Sequence, residues 1–173
     1  MVRKSTDTKE KLLDAFETLL EQHGTTGATL DAVAAEAGVS KGGLLYHFGS
    51  KAELVKGSLD RLRVLVDEDI EKMKAAEAGP HIFYLETSAE IGTPLDRSLV
   101  AASRLSHEYE EARETLRDTR NAWLEVLNDH LDDIDLAQTI QLIGDGLYTK
   151  ESVGLSAEEA LTHAKKVLAR LGL

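Results

Sequence analysis

The sequence predicts an all-α protein: an N-terminal three-helix head containing a helix-turn-helix, then a helical bundle body, about nine helices in total. Three observations predict it. Apolar residues recur at helical spacing along most of the chain. No strand-like alternation persists. The breaks carry helix caps (Thr, Ser, Asp) and helix stops (Gly), and both prolines, Pro80 and Pro94, fall at such breaks.

Residues 1–7 read as a mobile arm carrying the cations Arg3 and Lys4. The first helix covers residues 8–23, with Leu12, Leu13, Phe16, Leu19 and Leu20 as a one-sided stripe, and Gly24 ends it. Thr29 caps the second, whose Leu30, Val33, Ala34 and Ala37 share a face. Gly38 supplies the stop and Val39 plugs the corner. Ser40 caps a short third helix over 41–48, which buries Leu44 and Phe48. Ser50 and Glu53 form a capping box for a long helix over 51–78. Gly79–Pro80 closes that helix, since proline lacks an amide donor and restricts the residue before it.

In the body, helices are expected over 82–91, 94–105 and 108–131. Asp133 caps the next, reaching about residue 153, and Gly154 stops it. A second capping box, Ser156 with Glu159, opens the last helix.

The stretch TLDAVAAEAGVSKGGLLYHFGSKAEL, residues 29–54, carries the chemistry. Its short third helix contains Gly42 and Gly43, each costing about 1 kcal/mol against alanine. Core packing gives no reason for that cost, whereas close approach of backbone to a ligand does. Lys41, Tyr46 and His47 point outward and suit phosphates and base edges. Lys51 stands in a first helical turn, where a cation opposes the helix dipole unless a phosphate is bound there. The candidate DNA-binding residues are Thr29, Ser40, Lys41, Gly42, Gly43, Leu45, Tyr46, His47 and Lys51.

This stretch, with KEKLLDAFETLLEQHG before it, resembles the DNA-binding head of TetR/AcrR-family bacterial repressors over residues 8–56. Leu45 departs from the pattern: many members carry a tyrosine in the middle of this helix. The resemblance implies a helix-turn-helix DNA-binding domain at 1–50 and a ligand-binding and dimerisation domain at 51–173. It implies a homodimer whose heads read a palindromic double-stranded operator, and a small-molecule effector that moves the long helix. It also makes IQLIGDGLYTKESVGL similar to the penultimate helix of such repressors, two of which pair across a two-fold axis with the last helices. The dimer residues expected are Leu136, Ile140, Ile143, Gly144, Leu147, Leu161, Ala164 and Leu168.

Charge fits this division. The chain of 173 residues has net charge −11, yet residues 1–66 hold nine basic and nine acidic residues, so the excess acid lies beyond them. Local cations govern phosphate binding, with the whole-chain charge a screened background. An acidic body favours a cationic or neutral effector over an anion. The aromatics Phe83, Tyr84, Tyr109, Trp123 and Tyr148 are the candidate pocket residues, with Trp123 either pocket or core.

Other classes find less support. No apolar run reaches the length of a membrane span, the polar N-terminus is not a signal peptide, and the absence of cysteine fits a cytoplasmic setting. Six scattered histidines form no metal-ligand motif, and no hydrolase, P-loop or dinucleotide fingerprint is present. The acidic group Asp129, Asp132, Asp133 and Asp135 lacks the glycine and closing glutamate of a calcium loop. No cofactor, metal or catalytic residue is expected. The runner-up is a helical DNA-binding regulator controlled by a protein partner, and an enzyme comes third.

Overall fold

The computed structural model describes the backbone from residue 2 and side chains from residue 7 to residue 173; Arg3 and Lys4 of the expected arm lie outside the described side chains. Among the described residues there are nine helices and no strand. They are α1 (Val2–Gly27), α2 (Leu30–Glu36), α3 (Lys41–His47), α4 (Lys51–Lys74), α5 (Pro80–Ser88), α6 (Pro94–Leu105), α7 (Glu110–Leu131), α8 (Ile134–Ser152) and α9 (Glu158–Arg170). No helix among the described residues is long and apolar enough to cross a membrane.

The chain forms two compact units. The first joins Met1–Leu65 to Arg97–Arg117, and the second joins Val66–Asp96 to Asp118–Leu173. In the first, the α1 stripe works as its spacing requires: Leu12, Leu13, Phe16 and Leu20 are fully buried or nearly so. They share this unit's interior with Val33, Leu44, Phe48, Leu54, Leu59 and Leu62. Burying each leucine stabilises the fold by roughly 1.5–3 kcal/mol. Gly57 permits a close approach, since a Cβ there would lie 2.7 Å from the Phe48 ring.

Glu17 is a buried charged group in this largely apolar interior. Its Oε1 accepts hydrogen bonds from Ser58 of α4 (3.2 Å) and Ser98 of α6 (3.0 Å). Arg61 approaches its other oxygen at 3.8 Å while donating to Asp14 at 2.6 Å. Burial outweighs these favourable partners and pushes the Glu17 carboxyl above the usual carboxylate range. One buried side chain thus ties α1 to both α4 and α6.

The second unit has its own core of Met73, Tyr84, Leu85, Val126, Leu127, Ala137, Ile140, Leu147, Ala157 and Leu168. Here α5 lies against α8 at Gly144: a Cβ at that position would fall 2.5 Å from the Tyr84 ring and 2.8 Å from Ser88 Oγ. The Arg120 guanidinium grips Asp145 with two bonds of 2.8 Å, and Gln141 donates to the Arg120 carbonyl at 2.8 Å. Lys165 of α9 pairs with Glu86 of α5.

Helix ends depart from the sequence expectation in several places. Helix α1 begins at Val2, inside the expected arm, and runs on to Gly27 past a kink at Gly24 (φ 64°, ψ −170°) that was expected to end it. Helix α5 covers Pro80–Ser88 in place of 82–91. The long helix stops at Lys74, not at residue 78, because the Ala76 amide turns back to the Met73 carbonyl in a tighter last turn. A separate turn follows, in which Gly79 takes φ 89° ahead of Pro80 at the start of α5. The Ser156–Glu159 box does not form. Ala157 holds the cap position of α9, Ser156 Oγ accepts only from the Glu158 amide, and the Glu151 carboxylate accepts from the Ala157 amide at 2.6 Å.

Candidate nucleic-acid interface

The short helices of the head are fixed by local chemistry at both ends. Thr29 is extended (φ −83°, ψ 158°) and its hydroxyl accepts from the Ala32 amide at 3.2 Å. At the other end of α2, the Val39 amide bonds back to the Ala34 carbonyl and the Gly38 amide to that of Ala35. This paired closure needs a left-handed residue, and Gly38 supplies it with φ 67°. Ser40 then caps α3, accepting from the Gly43 amide at 3.1 Å. Gly43 suits that cap, since a Cβ would come within 3.3 Å of the Ser40 oxygen, whereas a Cβ at Gly42 would meet open space.

One face of α3 is anchored and the other is free. Leu44 and, just beyond the helix, Phe48 are buried. Tyr46 is 82% exposed and Leu45 is exposed as well. His47 is half-buried and meets Tyr46 edge-on, with ring centroids 5.1 Å apart. The exposed Lys41 ammonium reaches back to Asp31 at 2.9 Å. Such a surface pair contributes little and leaves the cation available to an anion.

The capping box at the start of α4 forms with a shift. Ser50 Oγ accepts from the Glu53 amide at 3.2 Å, while the Glu53 carboxylate accepts from the Gly49 amide, one residue before the cap, at 2.9 Å. Lys51 is half-buried and donates to the Thr25 carbonyl. An ammonium has three donors, so this tie to the α1–α2 corner occupies only part of its capacity. Nothing in the spacing of Thr25 and Lys51 announces the contact, because it spans 26 residues.

The family model for "Bacterial regulatory proteins, tetR family" matches residues 12–57, the stretch just described. The transcriptional regulator TtgR of Pseudomonas putida is 36% identical over 66 residues, covering 36% of this chain and 31% of TtgR. The matched stretch therefore spans about a third of that relative's length. Residues 12–57 are thus similar to the head of the TetR family. Two solved structures extend the likeness in fold to nearly the whole chain. NalD, described as the secondary repressor of the MexAB-OprM multidrug efflux pump in Pseudomonas aeruginosa, superposes with a TM-score of 0.68 at 18% identity, covering 97% of this chain and 96% of NalD. The multidrug binding protein EbrR, complexed with malachite green, gives 0.69 at 19% identity and covers 94% of this chain and 96% of EbrR.

The aromatics singled out for a pocket are not all brought together. Tyr84 and Trp123 meet edge to face, 5.9 Å apart, and half-buried Phe83 packs on the same core. Tyr148 donates to Asp96 at 2.8 Å. Tyr109 belongs to the first unit, the other four to the second. Asp69 of α4 went unnoticed in the sequence, yet its carboxylate accepts from Trp123 Nε1 at 3.0 Å. It reads there as one more charge on the polar side of a long helix.

The residues singled out for subunit pairing divide too. Ile140, Gly144, Leu147 and Leu168 are buried within the chain itself. Gly144, expected to admit a second subunit, instead admits Tyr84 of α5. Leu136, Ile143, Leu161 and Ala164 are partly buried at the edge of the same core. The outward faces of α8 and α9 carry other apolar residues, among them Leu142 and Val167, with Leu171 just after α9. Among the described residues, no group of three or more His, Asp or Glu is placed to hold a metal ion.

Proposed function

We propose that this chain is a DNA-binding transcriptional repressor, working in the cytoplasm as a homodimer on a palindromic operator and released by a small-molecule effector. The observation that carries the reading is the outward face of α3. It is short, exposed and glycine-containing, and both ends of its helix are held by caps that leave Lys41, Gly42 and Tyr46 turned to solvent. In a major groove, the glycines let the backbone approach phosphates, while Lys41, Tyr46 and His47 offer donors to phosphates or base edges. Thr29, Ser40, Gly43, Leu45 and Lys51 flank that surface. Two such heads, about one turn of DNA apart, read the two halves of a palindrome.

Exposed Leu142, Val153, Val167 and Leu171 support pairing of two copies, since apolar surface of this kind is covered in stable assemblies. The printed descriptions of NalD as a repressor and of EbrR as a multidrug binding protein with a bound dye support repression and an effector. The proposed role has no catalytic step.

The test is fluorescence anisotropy with a labelled fragment of the DNA upstream of the protein's own coding sequence. A Lys41→Ala, Tyr46→Ala, His47→Ala triple variant that keeps its helical circular dichroism is expected to lose about a hundredfold or more in affinity, at roughly 1–3 kcal/mol per specific contact. Unchanged affinity in the triple variant overturns the assignment of α3.

A further inference from the structure

The outward face of α3 carries one side chain that hydrogen bonding does not explain. Among the described residues of the first unit, the exposed large apolar side chains are Leu45, Tyr46 and Val64. Two of these three are neighbours on α3. Tyr46 has a hydroxyl to offer, and its ring is steadied edge-on by His47. Leu45 has neither donor nor acceptor, yet 41% of it faces solvent.

The register of α3 makes that exposure a fixed feature. Leu44 and Phe48, four residues apart, are buried and anchor one side of the short helix. Leu45 stands one residue on, about a quarter turn round the axis. It shares its side with Lys41 and Gly42, four and three residues earlier. Gly42 presents bare backbone there, and a Cβ at that position would meet open space. A flat partner can therefore come up against Leu45 without meeting a side chain at Gly42.

The chemistry of a major groove narrows what that partner is. Phosphates and the polar base edges must be matched by donors or acceptors, and an apolar group laid on them costs desolvation without return. Lys41, Tyr46 and His47 can meet those groups. The apolar feature that the groove displays is the C5-methyl of thymine, which is read by contact alone.

We infer that Leu45 is a specificity-determining residue that packs on the 5-methyl group of a thymine in each half of the operator. This rests on the reading of α3 as the helix that enters the major groove. The sequence preference then has an apolar component, carried by Leu45, beside the polar contacts of its neighbours.

The experiment uses the full chain and the labelled upstream fragment in two forms. One carries thymidine and the other deoxyuridine at every such position, which removes the methyl groups and keeps the base pairing. The wild-type protein is expected to bind the deoxyuridine form about fourfold more weakly for one methyl contact, and about fifteenfold more weakly for one in each half-site. Single replacements are expected to place the loss at one symmetry-related position in each half. Leu45→Ala is expected to weaken binding to the thymidine form and to bind both forms alike, whereas Leu45→Met, still apolar at its tip, keeps the preference. Equal wild-type affinity for the two forms overturns the inference, and that comparison needs no variant. An undiminished preference in a folded Leu45→Ala protein overturns it as well. In both cases the DNA-binding reading stands, because the fragment is bound. Failure to bind either form overturns that reading, and the role of Leu45 falls with it.

Discussion

His81, the second residue of α5, is buried, and among the described residues neither of its ring nitrogens has a hydrogen-bond partner. It stacks on His130, with centroids 5.1 Å apart and planes 17° from parallel. Burial first, and the neighbouring imidazole second, hold its pKa below the ordinary 6.5. The fold therefore favours the neutral ring. The unfolded chain binds the proton more readily, so His81's contribution to stability is full above 6.5 and is lost as pH falls through the lower folded value. Urea unfolding midpoints should drop between pH 7.5 and pH 5.5, and His81→Phe should flatten that drop. Equal pH sensitivity in the variant would assign the effect elsewhere. Gly144 makes a second prediction at this scale. Alanine there puts a methyl 2.5 Å from the Tyr84 ring, an overlap that costs about 1–3 kcal/mol and should show as a lowered Tm.

At the scale of elements, the head is assembled from caps, and Lys51 connects two of them. Its bond to the Thr25 carbonyl gives Lys51→Ala two expected effects. Loss of a phosphate contact weakens all DNA sequences alike and reduces the log–log salt slope by about 1 per subunit. Loss of the tie to the α1–α2 corner also lowers Tm, which a side chain that met only phosphate would leave alone. Salt titrations and thermal melts of one protein preparation separate the two contributions.

Caps and stops of this kind were legible in the sequence because they are local. Thr29, Ser40, Ser50 and Asp133 each bond an amide within three residues. Gly24, Gly38, Gly79 and Gly154 all adopt positive φ. Long-range choices were not legible. Helix α8 has apolar residues on two faces, and periodicity does not say that Ile140 and Leu147 turn inward while Leu142 turns out. The Asp69–Trp123 bond joins residues 54 apart, with no local signal at either end. Ser156 matched a capping pattern, but the Glu151 carboxylate from the preceding helix took the amide beside it.

At the scale of the whole molecule, the two faces of α8 lead to different outcomes. Leu142 is 67% exposed, so Leu142→Glu should leave the Tm of the folded chain nearly unchanged and weaken self-association, read as a shift toward monomer in light scattering. A wild-type protein that is monomeric at micromolar concentration would refute the homodimer. Gly144→Glu, by contrast, should unfold the second unit before any effect on pairing could be read, because its side chain would collide with Tyr84 and Ser88.

The buried Glu17 carboxylate also bears on the order in which this protein comes into being. Its two serine partners are 41 and 81 residues further along the chain. At synthesis rates of about 5–20 residues per second, roughly 4–16 seconds separate the making of Glu17 from that of Ser98. For that interval the nascent α1 carries a carboxylate in the middle of its apolar stripe with no partner from α6. Water must therefore stay in contact with this side of the helix, and the first unit closes only when the ribosome has delivered α6.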